Sequence, residues 1–336
     1  MRIAVLAITA GGNRLAATLA RELPEADHLV GTAGEKIAER LSEAWGRYDG
    51  LVCVMAAGIV VRLLAPLLGD KERDPCVVVV DERGRHAISL LGGHLGGGNE
   101  LARTVAALCG GTAVITTASD TLELVALDLW ARRLGLVPPG RAQLTAASGL
   151  LVNQGWLRLY SDEAVRSLPP GLHLVESAAE ADIIVSTRDI FPATAWVFRP
   201  RTLVIGVGCN RNTPACELEE ALTELLEAAN LSRASIRSLA SVDRKSDEAG
   251  LLQFAAANGW PLQFYSSAEL NSQRHVTPSP AAQKALGAIA VAEPAALLGA
   301  ATTTLEIEKK KWTNVTMALA RAPFTLSEPD REPPTI

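Results

Sequence analysis

Short apolar runs alternate with segments whose apolar residues recur every three or four positions, and this rhythm governs the first 135 residues. IAVLAIT (3–9) predicts a strand, and NRLAATLAREL (13–23) predicts a helix with one apolar face. GEKIAERLSEAW (34–45) repeats the helical spacing. GLVCVMA (50–56) has no polar interruption, which suits a central strand covered on both faces. CVVVVDERGRHAISLL (76–91) reads as two strands around a polar turn containing Gly84. ELARTVAALC (100–109) predicts a helix, and TAVITTA (112–118) a further strand. Together these predict an α/β fold with mostly parallel sheets flanked by helices.

The chain has 336 residues, too many for one ordinary core, and the pattern changes along it. LGLVPPGR (134–141) predicts a linker. It separates an N-terminal α/β domain (1–137) from a smaller middle α/β segment (138–200) with short elements such as GWLRLYS and ADIIVSTRD. TLVIGVGCNRNT (202–213) opens a C-terminal α/β domain (201–322) with an apolar strand running into a small-residue loop. The helix ACELEEALTELLEAANL follows, with acidic residues toward its N-terminal half, where they suit the helix dipole. The tail (323–336) has four prolines and no apolar periodicity, which predicts disorder.

Composition narrows the function classes. The net charge is −5, and the densest basic run is KKK at 309–311, so nucleic acid is not expected as a partner. No stretch reaches the roughly 18 apolar residues of a membrane span. The opening apolar run turns polar by Gly11, as a buried strand does and a signal peptide does not. Five cysteines without a CxxC pair predict reduced thiols in the cytoplasm. The absence of HExxH or Cys/His spacing predicts no protein-held metal.

The stretch GGHLGGGNEL (92–101) carries the strongest chemical signal. It follows an apolar strand and precedes a helix for which Asn99 is a good N-cap. Gly93, Gly96, Gly97 and Gly98 allow close backbone approach, and free amides at a helix start suit a phosphate or carboxylate. Nucleotide motifs fail here: Gly92 and Gly97 are followed by Gly98 and Asn99, not by Lys and Ser/Thr. GVGCNR (206–211) has Arg211 where a dinucleotide fold needs its third glycine. His94 is a candidate acid or base, with a structural imidazole bonding a loop carbonyl as the alternative.

Glu100 follows in the first helical turn, where it favours the dipole. Gly58, Arg62 and Lys71 follow another strand, and Thr116 and Thr117 a third, so all are expected at strand carboxyl ends beside the glycine loop. The C-terminal region adds Gly208, Cys209, Arg211, Lys245, Glu248 and Glu293 as binding candidates. Cys209 has no histidine nearby in sequence, so a buried inert thiol is the expectation for it.

Several of these blocks, in this order, resemble the CbiG family of cobalt-precorrin-5A hydrolases. In the first region they are GLVCVMAAGIVVRLLAPLLGDKERDPCVVVVDERG, ISLLGGHLGGGNELA and AVITTASD. In the last they are VIGVGCNRNT, SVDRKSDEAGL, VAEPAALLGA and KKKWTNVTMALAR, a set that is similar also to CobE of the aerobic pathway. Small departures are Gly92, where serine is expected, and Asn210 and Asn212 around Arg211.

The resemblance implies hydrolysis in anaerobic cobalamin (vitamin B12) biosynthesis. A δ-lactone on a cobalt-bearing macrocycle is opened and acetaldehyde is released, giving cobalt-precorrin-5B. The cobalt then belongs to the substrate, and no cofactor is expected. On this reading His94, Asn99 and Glu100 are the catalytic candidates, with the amides of Gly96–Gly98 receiving an oxyanion. The remaining candidates bind substrate, and Arg62, Lys71, Arg211 and Lys245 anchor its carboxylates. The expected partner is the cobalt-corrinoid, with room for a homodimer and for transient contact with other enzymes of the pathway. A non-catalytic tetrapyrrole-binding or transfer protein of the same pathway is the alternative.

Overall fold

A computed structural model describes residues 1–327 except 33, 71, 72, 192 and 193. The chain forms two compact units, Met1–Leu129 and the chain from Trp130 onward. Both are α/β, with mostly parallel sheets flanked by helices.

In the first unit the elements are β1 (Ile3–Ala7), α1 (Ala10–Glu22), β2 (Ala26–Leu29), α2 (Ile37–Trp45), β3 (Gly50–Val54) and α3 (Ala57–Leu64). They continue with β4 (Cys76–Val80), β5 (His86–Leu91), α4 (Gly98–Cys109), β6 (Thr112–Val114), α5 (Ala118–Thr121) and the start of α6 (Leu127–Arg133). The sheet runs β2-β1-β3-β4-β5-β6. Strands β1, β3 and β4 are buried along their whole length, as their uninterrupted apolar runs require. Ala16 and Leu19 of α1 pack with Leu101 and Val105 of α4 on one face. Leu41 of α2 and Val60 and Leu64 of α3 cover the other.

The turn between β4 and β5 sets the direction of the rest of the sheet. Asp81 accepts hydrogen bonds from the amides of Arg83 (2.9 Å) and His86 (2.7 Å), and Gly84 takes a positive φ of 68°. The two strands therefore pair antiparallel, with Val80 opposite Ala87 and Val77 opposite Leu91. β6 is parallel to β5. The carboxyl ends of β5 and β6 thus lie at the edge where β1, β3 and β4 begin.

The second unit opens with β7 (Leu136–Val137), α7 (Arg141–Gln154), β8 (Leu157–Ser161), β9 (Ala164–Val165), β10 (Leu172–Leu174), β11 (Ile183–Val185) and β12 (Trp196–Pro200). One sheet runs β10-β8-β11-β12-β7. Leu136 and Val137, expected in a linker, instead form its antiparallel edge against Pro200 and Arg199. Next come β13 (Leu203–Cys209), α8 (Ala215–Ala229), β14 (Ile236–Val242), α9 (Ala249–Asn258), β15 (Leu262–Tyr265), α10 (Ser267–Asn271) and α11 (Pro280–Leu286). The chain continues through α12 (Ala292–Ala300), β16 (Leu305–Lys311), β17 (Val315–Arg321) and β18 (Thr325–Leu326). The second sheet of this unit runs β15-β14-β13-β17-β16. Helices α8 and α9 cover one of its faces and α12 the other.

The first residues of the expected disordered tail are ordered. Thr325 and Leu326 pair with Ala164 and Val165, and the buried Leu326 accepts the amide of Arg166 at 2.8 Å. A buried leucine and a backbone ladder outweigh the proline-rich composition there. Residues 328–336 lie outside the described residues.

Candidate active site

Gly92, Gly96 and Gly98 serve the chain's own packing. A Cβ on Gly92, whose φ is 65°, would lie 2.9 Å from Cys76 Cα. One on Gly96 would lie 2.8 Å from the Gly92 carbonyl, and one on Gly98 2.7 Å from the Leu91 carbonyl. Such approaches leave no room for a side chain. The amides of Gly97, Gly98 and Asn99 each donate at 2.9 Å, to the carbonyls of His94, Gly92 and Gly93. Of the Gly96–Gly98 amides expected to receive an oxyanion, those of Gly97 and Gly98 are therefore already taken within the loop. Helix α4 starts at Gly98 with Gly97 as its left-handed cap, so Asn99 is not the N-cap but lies inside the first turn.

That placement frees the Asn99 side chain for the site. It is 5% exposed, and its amide nitrogen donates at 2.8 Å to both Thr117 Oγ1 and Asp120 Oδ2. His94 Nε2 lies 3.1 Å from the same Asp120 oxygen and 3.0 Å from Ser119 Oγ. The other Asp120 oxygen accepts from Arg103 Nη2 at 2.6 Å. His94 Nδ1 faces Asp128 Oδ1 at 3.9 Å. Burial pushes the Asp120 carboxyl up, but hydrogen bonds from Arg103, Thr117 and His94, with the Arg103 charge, outweigh it and hold the group below the usual aspartate value. A partly buried imidazole held against a fixed carboxylate can take and return a proton.

Asp120, Ser119, Arg103 and Asp128 were not among the sequence candidates. Arg103 had a signal: it stands four residues after Asn99 and so shares a helix face with it. The same geometry removes Glu100. One residue on from Asn99, its side chain turns to solvent, 78% exposed, and it reaches toward Arg103 at 3.5 Å.

Gly58 and Arg62 do not join this cluster. They follow β3, whose carboxyl end is at the opposite edge of the sheet, because the β4–β5 hairpin reverses the chain. Arg62 is exposed and folds back onto the Gly58 carbonyl at 2.8 Å. A crevice of about 420 Å³ opens at that far edge, lined in part by Thr9, Met55, Ile59, Glu82 and His86. His94 does not line it, so the candidate reaction centre is assigned by its polar network rather than by concavity. Thr117 is in the cluster, while Thr116 beside it is exposed. Lys71 lies outside the described residues.

In the second unit Gly208, Cys209, Arg211, Lys245 and Glu248 gather where β13 and β14 end. Lys245 Nζ and Glu248 Oε2 form a 3.0 Å ion pair, both side chains buried. Glu248 Oε1 also accepts the amide of Asn212 at 2.7 Å. Arg211 pairs with Asp247 at 2.6 Å and donates to the Arg244 carbonyl at 2.9 Å. Both cations expected to anchor substrate carboxylates thus already have anionic partners. Burial pushes the Cys209 thiol above its ordinary value despite the Lys245 and Arg211 charges, so it is a poor nucleophile. Glu293 stands apart: it is 1% exposed, and its two oxygens accept the amides of Thr277 and Lys309.

Gly206, within β13, has its own cause. A Cβ on Gly206 would lie 1.8 Å from the Ala292 carbonyl, so this glycine admits α12 to the sheet.

Among the described residues, no group of three or more His, Cys, Asp or Glu side chains is arranged to hold a metal ion. No described helix is long and apolar enough to cross a membrane.

Two family models match the chain: Cobalamin synthesis G N-terminal over residues 39–120, and Cobalamin synthesis G C-terminus over residues 203–320. The first match contains the glycine loop and Asp120; the second contains the Lys245–Glu248 pair. A cobalt-precorrin-5A hydrolase of Priestia megaterium is 35% identical, the match covering 96% of this chain and 95% of the relative. One of Salmonella typhimurium is 35% identical, with 88% and 91% covered. Protein CobE of a Sinorhizobium species is 35% identical over 37% of this chain and 82% of its own length. With both halves matched, and full-length relatives at this identity, the chain belongs to the CbiG family of cobalamin biosynthesis.

Proposed function

We propose that this protein is a cobalt-precorrin-5A hydrolase and that His94 is its general base. The single observation that carries the chemical part is the 3.1 Å contact of the partly buried His94 with Asp120, a fixed carboxylate. The names of the relatives that match nearly the whole chain support the substrate.

In the proposed reaction His94 removes a proton from water as the water oxygen attacks the δ-lactone carbonyl. The tetrahedral intermediate collapses, breaking the acyl C–O bond and leaving a carboxylate and a secondary alcohol. Loss of the alcohol proton lets a C–O double bond form while the adjacent C–C bond breaks. Acetaldehyde departs, the macrocycle accepts the electron pair, and a proton is taken up there to give cobalt-precorrin-5B. Cobalt enters with the substrate as its cargo, and no resident cofactor is assigned. No chemical step is assigned to the Cys209–Arg211–Lys245 edge, where Lys245 is paired with Glu248 and Arg211 with Asp247. Work in the cytoplasm, without nucleic-acid or membrane partners, completes the proposal.

The test is His94→Ala, supplied anaerobically with cobalt-precorrin-5A while acetaldehyde is followed. Loss of a general base is expected to lower turnover about 100-fold or more. Near-normal turnover in a folded variant would remove His94 from the reaction.

A further inference from the structure

We propose that Asp120 is a positioning residue that locks His94 in the tautomer protonated on Nε2, so that Nδ1 is the working base and Asp128 seats the attacking water beside it. The proposal rests on the hydrolase reading above and specifies how its site works.

The argument begins with what each atom can do. An ionised carboxylate only accepts hydrogen bonds, whereas a neutral imidazole has one donor and one acceptor nitrogen. Asp120 Oδ2 faces Nε2 at 3.1 Å, so the proton of the neutral ring belongs on Nε2. The carboxylate cannot turn away, because Arg103 holds one oxygen and Asn99 the other, from successive turns of α4. The groups facing the ring are Asp120 and Ser119 from α5 and Asp128 from α6, with Asn99 and Arg103 behind Asp120.

This assignment decides the role of Ser119. Its Oγ is 3.0 Å from Nε2, the spacing of an activated nucleophile. Activation needs a lone pair on that nitrogen, and the lone pair is absent when the nitrogen donates to Asp120. Ser119 is therefore an accessory acceptor, and an acyl-serine route is excluded by the tautomer.

Nδ1 keeps the lone pair. It looks toward Asp128 Oδ1, which the Leu129 amide fixes at 2.9 Å. The separation of 3.9 Å exceeds a hydrogen bond but is one that a shared water bridges, giving one hydrogen to each acceptor. Such a water has its oxygen lone pairs free for the lactone carbonyl. As its oxygen bonds to that carbon, the proton passes to Nδ1 and the carbonyl electrons move to oxygen. When the acyl C–O bond breaks, the Nδ1 proton passes to the departing alkoxide, and the ring returns to its starting tautomer.

The decisive measurement needs no substrate: nitrogen NMR of the full-length protein with ¹⁵N-labelled histidine. The expected result, read on the neutral ring, is a proton on Nε2, and transfer of that proton to Nδ1 in Asp120→Asn. In the second arm, Asp120→Asn is expected to lower kcat about 100-fold or more with little change in KM, as a misplaced tautomer does. Asp128→Asn should also lower kcat, and Ser119→Ala, which removes an accessory acceptor, should lower it less than Asp120→Asn while the ring proton stays on Nε2. A wild-type ring protonated on Nδ1 overturns the proposal even if His94→Ala is inactive, in which case the hydrolase reading stands. A Ser119→Ala variant that folds but does not turn over overturns the water route.

Discussion

Arg103 Nη2 donates to Asp120 Oδ1 at 2.6 Å, joining a half-exposed guanidinium to a carboxylate only one-fifth exposed. Arg103 supplies most of what holds the Asp120 carboxyl below its ordinary value against burial. A depressed carboxyl contributes stability that is complete above the unfolded value, near 3.9, and is lost as pH falls through the folded value. Arg103→Gln should therefore move acid unfolding to higher pH, read as tryptophan fluorescence against pH. Asp182, held down by Arg158, and Glu219, held down by Arg233, lose stability in the same window. They are unchanged in the variant, so the displacement belongs to Asp120.

Neighbours on one helix should separate cleanly. Asn99→Ala leaves Asp120 and Thr117 without their shared donor and is expected to cost about 1–3 kcal/mol, with a clear fall in kcat. Glu100→Ala, in a side chain turned to solvent, should stay within about 0.5 kcal/mol and near wild-type activity. Urea unfolding and acetaldehyde release on both variants make the comparison. Equal losses would place Glu100 back in the site.

Two glycines should respond in opposite directions to the same substitution. Gly98→Ala drives a methyl against the Leu91 carbonyl, costing about 1–3 kcal/mol and displacing the loop that carries His94. Gly149 lies within α7 with open space around it, so Gly149→Ala should stabilise by roughly 0.5–1 kcal/mol. Thermal melts decide both signs.

Lys245→Met takes from the buried Glu248 its 3.0 Å ion-pair partner, leaving it the Asn212 amide and Arg211 at 3.8 Å, and is expected to cost about 3 kcal/mol. Lys245→Met combined with Glu248→Leu should recover part of that loss, since no unpaired charge remains. The recovery is incomplete because the Asn212 amide also loses its acceptor. Urea denaturation of the single and double variants checks this, and a double variant weaker than the single would contradict it.

Much of the fold was legible in local pattern. The valine-rich run 76–80, the Gly84 turn and the amphipathic segment after Asn99 announced β4, the hairpin and α4, because burial on two faces, turn chemistry and helical periodicity act over a few residues. His94 and Asn99 were legible as candidates from the same loop. Asp120 and Asp128 were not, because their roles depend on contacts 26 and 34 positions from His94, where no local period reaches.

What the sequence by itself determined is the alternation of strands and helices, the α/β class, the unusual glycine–histidine loop and the membership of a family. Tertiary structure alone decided which of those features meet. One hairpin reversal sent Gly58 and Arg62 to the far edge of the sheet and brought Thr117 and Asp120 to the glycine loop. The amides of Gly97, Gly98 and Asn99 are taken by turn bonds within the loop itself, while the close approach of Gly92 to Cys76 packs that loop against β4. Strand direction is set by pairing across the whole sheet, so residues that read alike along the chain can end on opposite sides of it.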